Sequence, residues 1–140
     1  MAPTQVQVSN SSGVFPAAVT PGNTIVFTVV EYSAPTVTVT NVQLGTTTVA
    51  GTTQLEFPQS AGGTSGDPTG VCIYLLPNVQ VSGQTTVNYT CSGSVICAYA
   101  EEWSGLGSSP VQDTAGSITA TGASASIASG TTGARPRRPS

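Results

Sequence analysis

Apolar and polar side chains alternate with a period of two along most of the first hundred residues, the spacing of strands rather than helices. In Thr24–Tyr32, Ile25, Phe27 and Val29 fall on one face and Val26 and Val30 on the other. A strand apolar on both faces is predicted to sit at the centre of a sheet. Thr36–Val42 reads as a one-sided strand, with Val37 and Val39 inward and Thr38 and Thr40 toward water. Thr52–Phe57 is a short strand stopped by Pro58. Val71–Leu76 is a strongly apolar strand ending at Pro77-Asn78, and Thr85–Cys91 and Val95–Trp103 flank Ser92-Gly93-Ser94. Three linking residues with a central Gly predict a hairpin between those two strands, because Gly supplies the positive φ of such a turn. After Gly105 the segments Val111–Asp113, Ser117–Thr121 and Ser124–Ala128 are weak strand candidates, built largely from Ala, Ser and Gly.

The connections carry turn chemistry. Gln59–Gly70 holds four Gly, several hydroxyl residues and a Pro, too little apolar surface to order as a regular element, and is predicted to be a surface loop. No repeat of fixed period is present. The expectation is all-β: a single antiparallel β-sandwich, jelly-roll or Ig-like, over residues 1–132, with a short Arg/Pro-rich tail at 133–140.

Composition sharpens this reading. Only 6% of the 140 residues are charged, against the quarter or so that is usual, and there is neither Lys nor His. Solubility rests instead on 22 Thr and 17 Ser. All the basic residues, Arg135, Arg137 and Arg138, stand in the last six positions. Residues 1–134 thus hold six acids and no base, and no nucleic-acid partner is expected of that body, since nothing there neutralises phosphates. The tail is the candidate contact for an anionic partner. No run reaches the roughly 18–20 apolar residues of a membrane span, and the start lacks the basic and apolar regions of a secretory signal, so no membrane partner is expected.

The missing residue types also restrict chemistry. Without His, histidine-based triads and imidazole metal sites are excluded; without Lys, so are Ser-Lys dyads, Schiff bases and the phosphate-binding loop. The acids Glu31, Glu56, Asp67, Glu101, Glu102 and Asp113 are scattered, and the neighbours Glu101 and Glu102 must point to opposite faces of a strand, so they cannot form a two-carboxylate cleft. A calcium site from Asp67, Asp113 and loop carbonyls is outweighed by ordinary turn-forming Asp, as no carboxylate-rich loop exists. The expectation is a non-enzyme without cofactor or metal.

Cys72, Cys91 and Cys97 all fall in strands, and three thiols leave at least one unpaired within a monomer. With the hairpin above, Cys91 and Cys97 would be diagonal on one face. A disulfide from Cys72 to one of them competes with three buried thiols behaving as small apolar groups. Tyr99 and Trp103 share a strand face and are candidates for stacking on a sugar, though aromatics at alternate positions usually belong to a core. The sequons Asn10-Ser11-Ser12 and Asn88-Tyr89-Thr90 arise readily by chance in a chain so rich in Ser and Thr.

Several stretches bear a family likeness. Val19–Val26, Ile73-Tyr74-Leu75-Leu76-Pro77-Asn78-Val79, Gly83–Cys91, Ala100-Glu101-Glu102-Trp103-Ser104-Gly105-Leu106 and Pro110-Val111-Gln112-Asp113 together resemble a family of bacterial and phage β-sandwich domains, jelly-roll or lectin-like, of virion and secreted surface proteins. The likeness spans most of residues 6–132 and lies in turns and strand ends, so it implies a fold and no catalytic residues. Members of that family continue with further apolar strands where this chain runs into Gly133-Ala134-Arg135-Pro136-Arg137-Arg138-Pro139-Ser140, which implies an unpaired sheet edge open to another chain. The resulting expectation is a structural protein of a phage virion surface, a capsid decoration or tail component, in a virion or extracellular setting. Its partners would be itself and other assembly or capsid proteins, and the alternative is a carbohydrate-binding module that takes surface glycans.

Overall fold

A computed structural model describes residues 2–32, 38–56 and 69–110. Over these residues the protein is all-β. Seven strands follow in order: β1 (Thr4–Val8), β2 (Thr24–Tyr32), β3 (Val39–Leu44), β4 (Thr53–Glu56), β5 (Thr69–Leu76), β6 (Val87–Cys91) and β7 (Ser94–Ser104). Five form one antiparallel sheet in the order β1-β7-β2-β5-β4, and β3 and β6 form a second, two-stranded antiparallel sheet. Among the described residues no helix is long and apolar enough to cross a membrane.

β2 occupies the middle of the larger sheet, as its two apolar faces require. Its inner face carries Ile25, Phe27 and Val29, all fully buried, and the register sets them beside Leu76, Tyr74 and Cys72 of β5 and Glu102, Ala100 and Ala98 of β7. The small side chains of β7 leave room for the Phe27 ring, which meets Tyr89 of β6 at 5.2 Å between ring centroids, tilted by 52°. The Tyr74 hydroxyl donates to the Val39 carbonyl at 2.6 Å, a second tie from the larger sheet to β3. Phe15, Val19, Val49 and Val79 from the connecting segments complete the core. Burial of this set at roughly 1.5–3 kcal/mol per large apolar side chain is the main driving force for folding.

The Ser92-Gly93-Ser94 turn does not close a hairpin. β6 pairs with β3, whereas β7 pairs with β1 and β2, so the short link carries the chain from one sheet to the other. The reason is burial: β7 has neighbours on both edges already, and β6 beside it would leave Phe27 and Tyr74 without the cover that Tyr89 and Val87 provide. Ser92 secures the crossing by donating its N–H to the Thr38 carbonyl and accepting the Thr38 N–H on Oγ at 2.8 Å.

Other expectations shift in detail. β3 runs two residues beyond the predicted end, and Asn41, at φ 52°, interrupts its alternation, so Val42 and Leu44 are buried after Val39. β1 carries no core residue despite the alternation of TQVQV; its side chains are exposed apart from half-buried Gln7. Val37, most of Gln59–Gly70, Asp67, all of the segments proposed as strands after residue 110, the 132/133 boundary and the three Arg lie outside the described residues.

Candidate functional site

The inner face of the larger sheet ends in a glutamate at each end of β2's neighbourhood, and the two are handled differently. Glu102, fully buried, is an acceptor hub: its Oε1 takes the Thr20 N–H at 2.8 Å and Asn23 Nδ2 at 2.6 Å, and its Oε2 takes Gln7 Nε2 at 2.5 Å. Gln7 is itself held by the Ala17 backbone through both of its amide atoms. The hub thus joins β1, β7 and the β1–β2 connection, which explains a buried acid in a body without cations as a structural joint.

Glu31 is also fully buried, but its Oε1 has no hydrogen-bond partner. Its Oε2 receives the Cys91 thiol at 3.8 Å. Burial pushes the Glu31 carboxyl above its ordinary range, and the thiol contact only partly opposes this. The Cys72 thiol is pushed up to about 11 by burial first and then by Glu31 and Cys91, and the Tyr74 phenol to about 12 by burial, Cys72 and Glu31. Gln54 Nε2 approaches Cys72 Sγ at 3.7 Å. A thiol this hard to ionise is a poor nucleophile, so the cluster has the chemistry of a core.

The three cysteines are free thiols. Cys72 and Cys91 face the interior, whereas Cys97 stands opposite Val30 beside a bulge, one residue out of phase with buried Ala98, and so lies toward the other face. With β6 and β7 in different sheets, the diagonal pairing of Cys91 and Cys97 on one face does not arise. Among the described residues no group of three or more Cys, Asp or Glu could hold a metal ion.

The outer face of the larger sheet is where exposed chemistry gathers. Residues of β7 alternate, so Tyr99, Glu101 and Trp103 stand in a row on that face, opposite Thr28, Val26 and Thr24 of β2, with Gln5 and Val8 of β1 alongside Trp103 and Glu101. Tyr99 is 43% exposed, and Trp103 is half-buried with its indole N–H donating to Glu101 Oε2 at 3.0 Å. Neither aromatic belongs to the core cluster. Val8, Val71 and Ile96 are also large, apolar and exposed on this sheet, as is Val6 at the bulge of edge strand β1. The row can stack flat ligands on its rings and accept hydrogen bonds at its carboxylate. Sequence parity put Tyr99 and Trp103 on one face but missed Glu101 as the polar member between them, although the same parity contained it.

A separate open depression of about 730 Å³ lies at the end of the sheet where the described chain leaves, lined by Thr47, Val49, Gly51, Pro77, Asn78 and Pro110 among others. Its walls bring hydroxyls, amides and apolar groups together but no ionisable side chain. Compared with known protein families, curated proteins and solved structures, the chain shows no match.

Proposed function

We propose that this chain is a non-enzymatic structural domain of an extracellular assembly, a surface component of a phage particle, that works by presenting sheet faces and edges to neighbouring copies or capsid proteins. The observation that carries the reading is the outer side of the larger sheet, where Val8, Val71 and Tyr99 are exposed and where, among the described residues, β1 stands at the edge without a charged side chain. Soluble monomers blunt such edges with Lys, inward charges or cover, and among the described residues β1 has only its bulge between Gln5 and Gln7. Two ties between the sheets, Phe27 to Tyr89 and Tyr74 to Val39, support a sandwich, and the crossing from β6 to β7 fits a jelly-roll type better than consecutive hairpins. The likeness of Val19–Val26, Ile73–Val79 and Ala100–Leu106 to bacterial and phage surface domains points the same way. Sedimentation of the purified chain across concentration, together with mass spectrometry of purified particles, tests the reading. Concentration-dependent association and particle-bound copies are expected; a chain that stays monomeric and free of particles would reject it.

A second reading is a carbohydrate-binding module, favoured by one observation: Tyr99 and Trp103 flank a carboxylate on an accessible sheet face instead of filling the core. Binding on a glycan array that is lost in Tyr99→Ala is the expected outcome; an array without hits removes the reading.

A further inference from the structure

We infer that the Tyr99–Glu101–Trp103 row is the docking site for the chain's own arginine-rich segment, Arg135–Ser140, which folds back to cover it. Charge complementarity supplies the first argument. Among the side chains described, Glu31 and Glu102 are fully buried, which leaves Glu101 as the carboxylate that solvent reaches. The protein's cationic side chains are confined to Arg135, Arg137 and Arg138. A carboxylate flanked by two aromatic rings on one strand face suits guanidinium groups, which stack on the rings and hydrogen-bond to the carboxylate at once. The indole N–H takes one position on Glu101 Oε2, and a carboxylate offers about four.

Reach is the second argument. Residue 110 lies beside Pro77 at the end of β5, and Trp103 stands at the same end of the sheet, opposite Thr24. Residues 111–134 intervene before the first Arg. Twenty-four residues can span at most about 80 Å, more than the length of β7, so the chain is long enough to bring the segment to every member of the row. A tethered segment acts at an effective concentration on the order of millimolar, which favours its own row over that of another molecule in dilute solution. The inference does not depend on the assembly reading, and it makes the segment a competitor for whatever else binds this face.

Trp103 is the sole tryptophan, so its fluorescence reports on the row alone. The test compares acrylamide quenching of the full chain at about 1 µM with a form ending at residue 132, with R135S/R137S/R138S, and with Glu101→Gln. Matching far-ultraviolet circular dichroism spectra of the full chain and the first two variants establish that the comparison is made on the same folded body. Quenching is expected to rise roughly one and a half to two times in all three variants, as a site about half occupied at millimolar effective concentration is vacated. The full chain in 0.5 M salt should rise likewise, since exposed ion pairs are screened. Equal quenching of the full chain and the two tail variants would overturn the inference. So would protection that appears only as protein concentration is raised, which would place the segment on a second copy.

Discussion

The Cys91 thiol reaches across from the smaller sheet to Glu31 Oε2 at 3.8 Å, while Glu31 Oε1, equally buried, meets no donor. No cationic side chain exists within residues 1–134 to neutralise this carboxylate, and burial holds the neighbouring Cys72 thiol and Tyr74 phenol in their neutral forms through the acid to neutral range. The protonated form is therefore the one that the fold accommodates.

A pH dependence follows with a definite sign. The folded state holds the Glu31 proton more tightly than the unfolded chain does, so the favourable contribution is fully present below the ordinary value of 4.5 and is lost as pH rises through the folded value. Each pH unit of upward displacement corresponds to about 1.4 kcal/mol. Glu31→Gln should raise stability at pH 7 and leave it unchanged at pH 4, read as urea midpoints of the two proteins at each pH. A variant less stable than the parent at pH 7 would contradict this account.

Glu102 should behave in the opposite way to substitution. Removing its carboxylate in Glu102→Ala strands the Thr20 N–H, the Asn23 amide and the Gln7 amide in a buried joint, a loss of roughly 3–5 kcal/mol. Glu102→Gln retains one oxygen for Thr20 and Asn23 but turns an amide donor toward Gln7. Gln7 can invert only by giving up its two bonds to Ala17, so this variant should still lose about 1–2 kcal/mol. Chemical denaturation of both variants reads the order, and an equal or reversed order would show that the hub is not what holds the β1–β2 connection.

The strands of the larger sheet were legible because their side chains obey the period of two over long runs: β2 and β5 were readable from Ile25, Phe27, Val29 and from Val71–Leu76. Pairing was less legible, because a Gly-containing link between two strands has the same composition whether it closes a hairpin or crosses between sheets. What decides is which inner face lacks cover, and that depends on β1 and β2, which claim both edges of β7. β1 carries the same alternation in TQVQV, but with the faces reversed: its valines are exposed, and it gains its place through the Gln7 contact with Glu102. The two buried acids were invisible as such: sequence gives strand parity, and parity alone does not say which glutamate will find donors.

The union of the two sheets rests on few side chains and should be correspondingly sensitive. Phe27→Ala removes the ring that packs on Tyr89 and opens a cavity among fully buried neighbours, with an expected cost of about 3–5 kcal/mol. Tyr74→Phe keeps the packing but leaves the Val39 carbonyl without its 2.6 Å donor, at about 1–3 kcal/mol. Hydrogen exchange separates the cases: Tyr74→Phe should speed exchange in β3 and β6 more than in β2 and β7, because it loosens the smaller sheet without removing its core. Uniform acceleration across both sheets would mean that they unfold as one unit.

Thiol labelling of the native protein offers a test of side-chain orientation that is independent of stability. Cys72 is fully buried and its thiol is pushed up to about 11, so at pH 8 only about one molecule in a thousand carries the thiolate. Cys97 is half-buried and lies toward the outer face of β7, where a reagent arrives without opening the core; Cys91 points inward to Glu31 from the smaller sheet. The expected order of alkylation, resolved by peptide mass spectrometry, is therefore Cys97 first, Cys91 next and Cys72 last. Glu31→Gln should leave the labelling of Cys97 unchanged, since Cys97 lies toward the opposite face of the sheet from Glu31. Rapid modification of Cys72 in the parent protein would show that the inner face between β2 and β5 is reached by solvent, and with it the argument for Glu31 would fail.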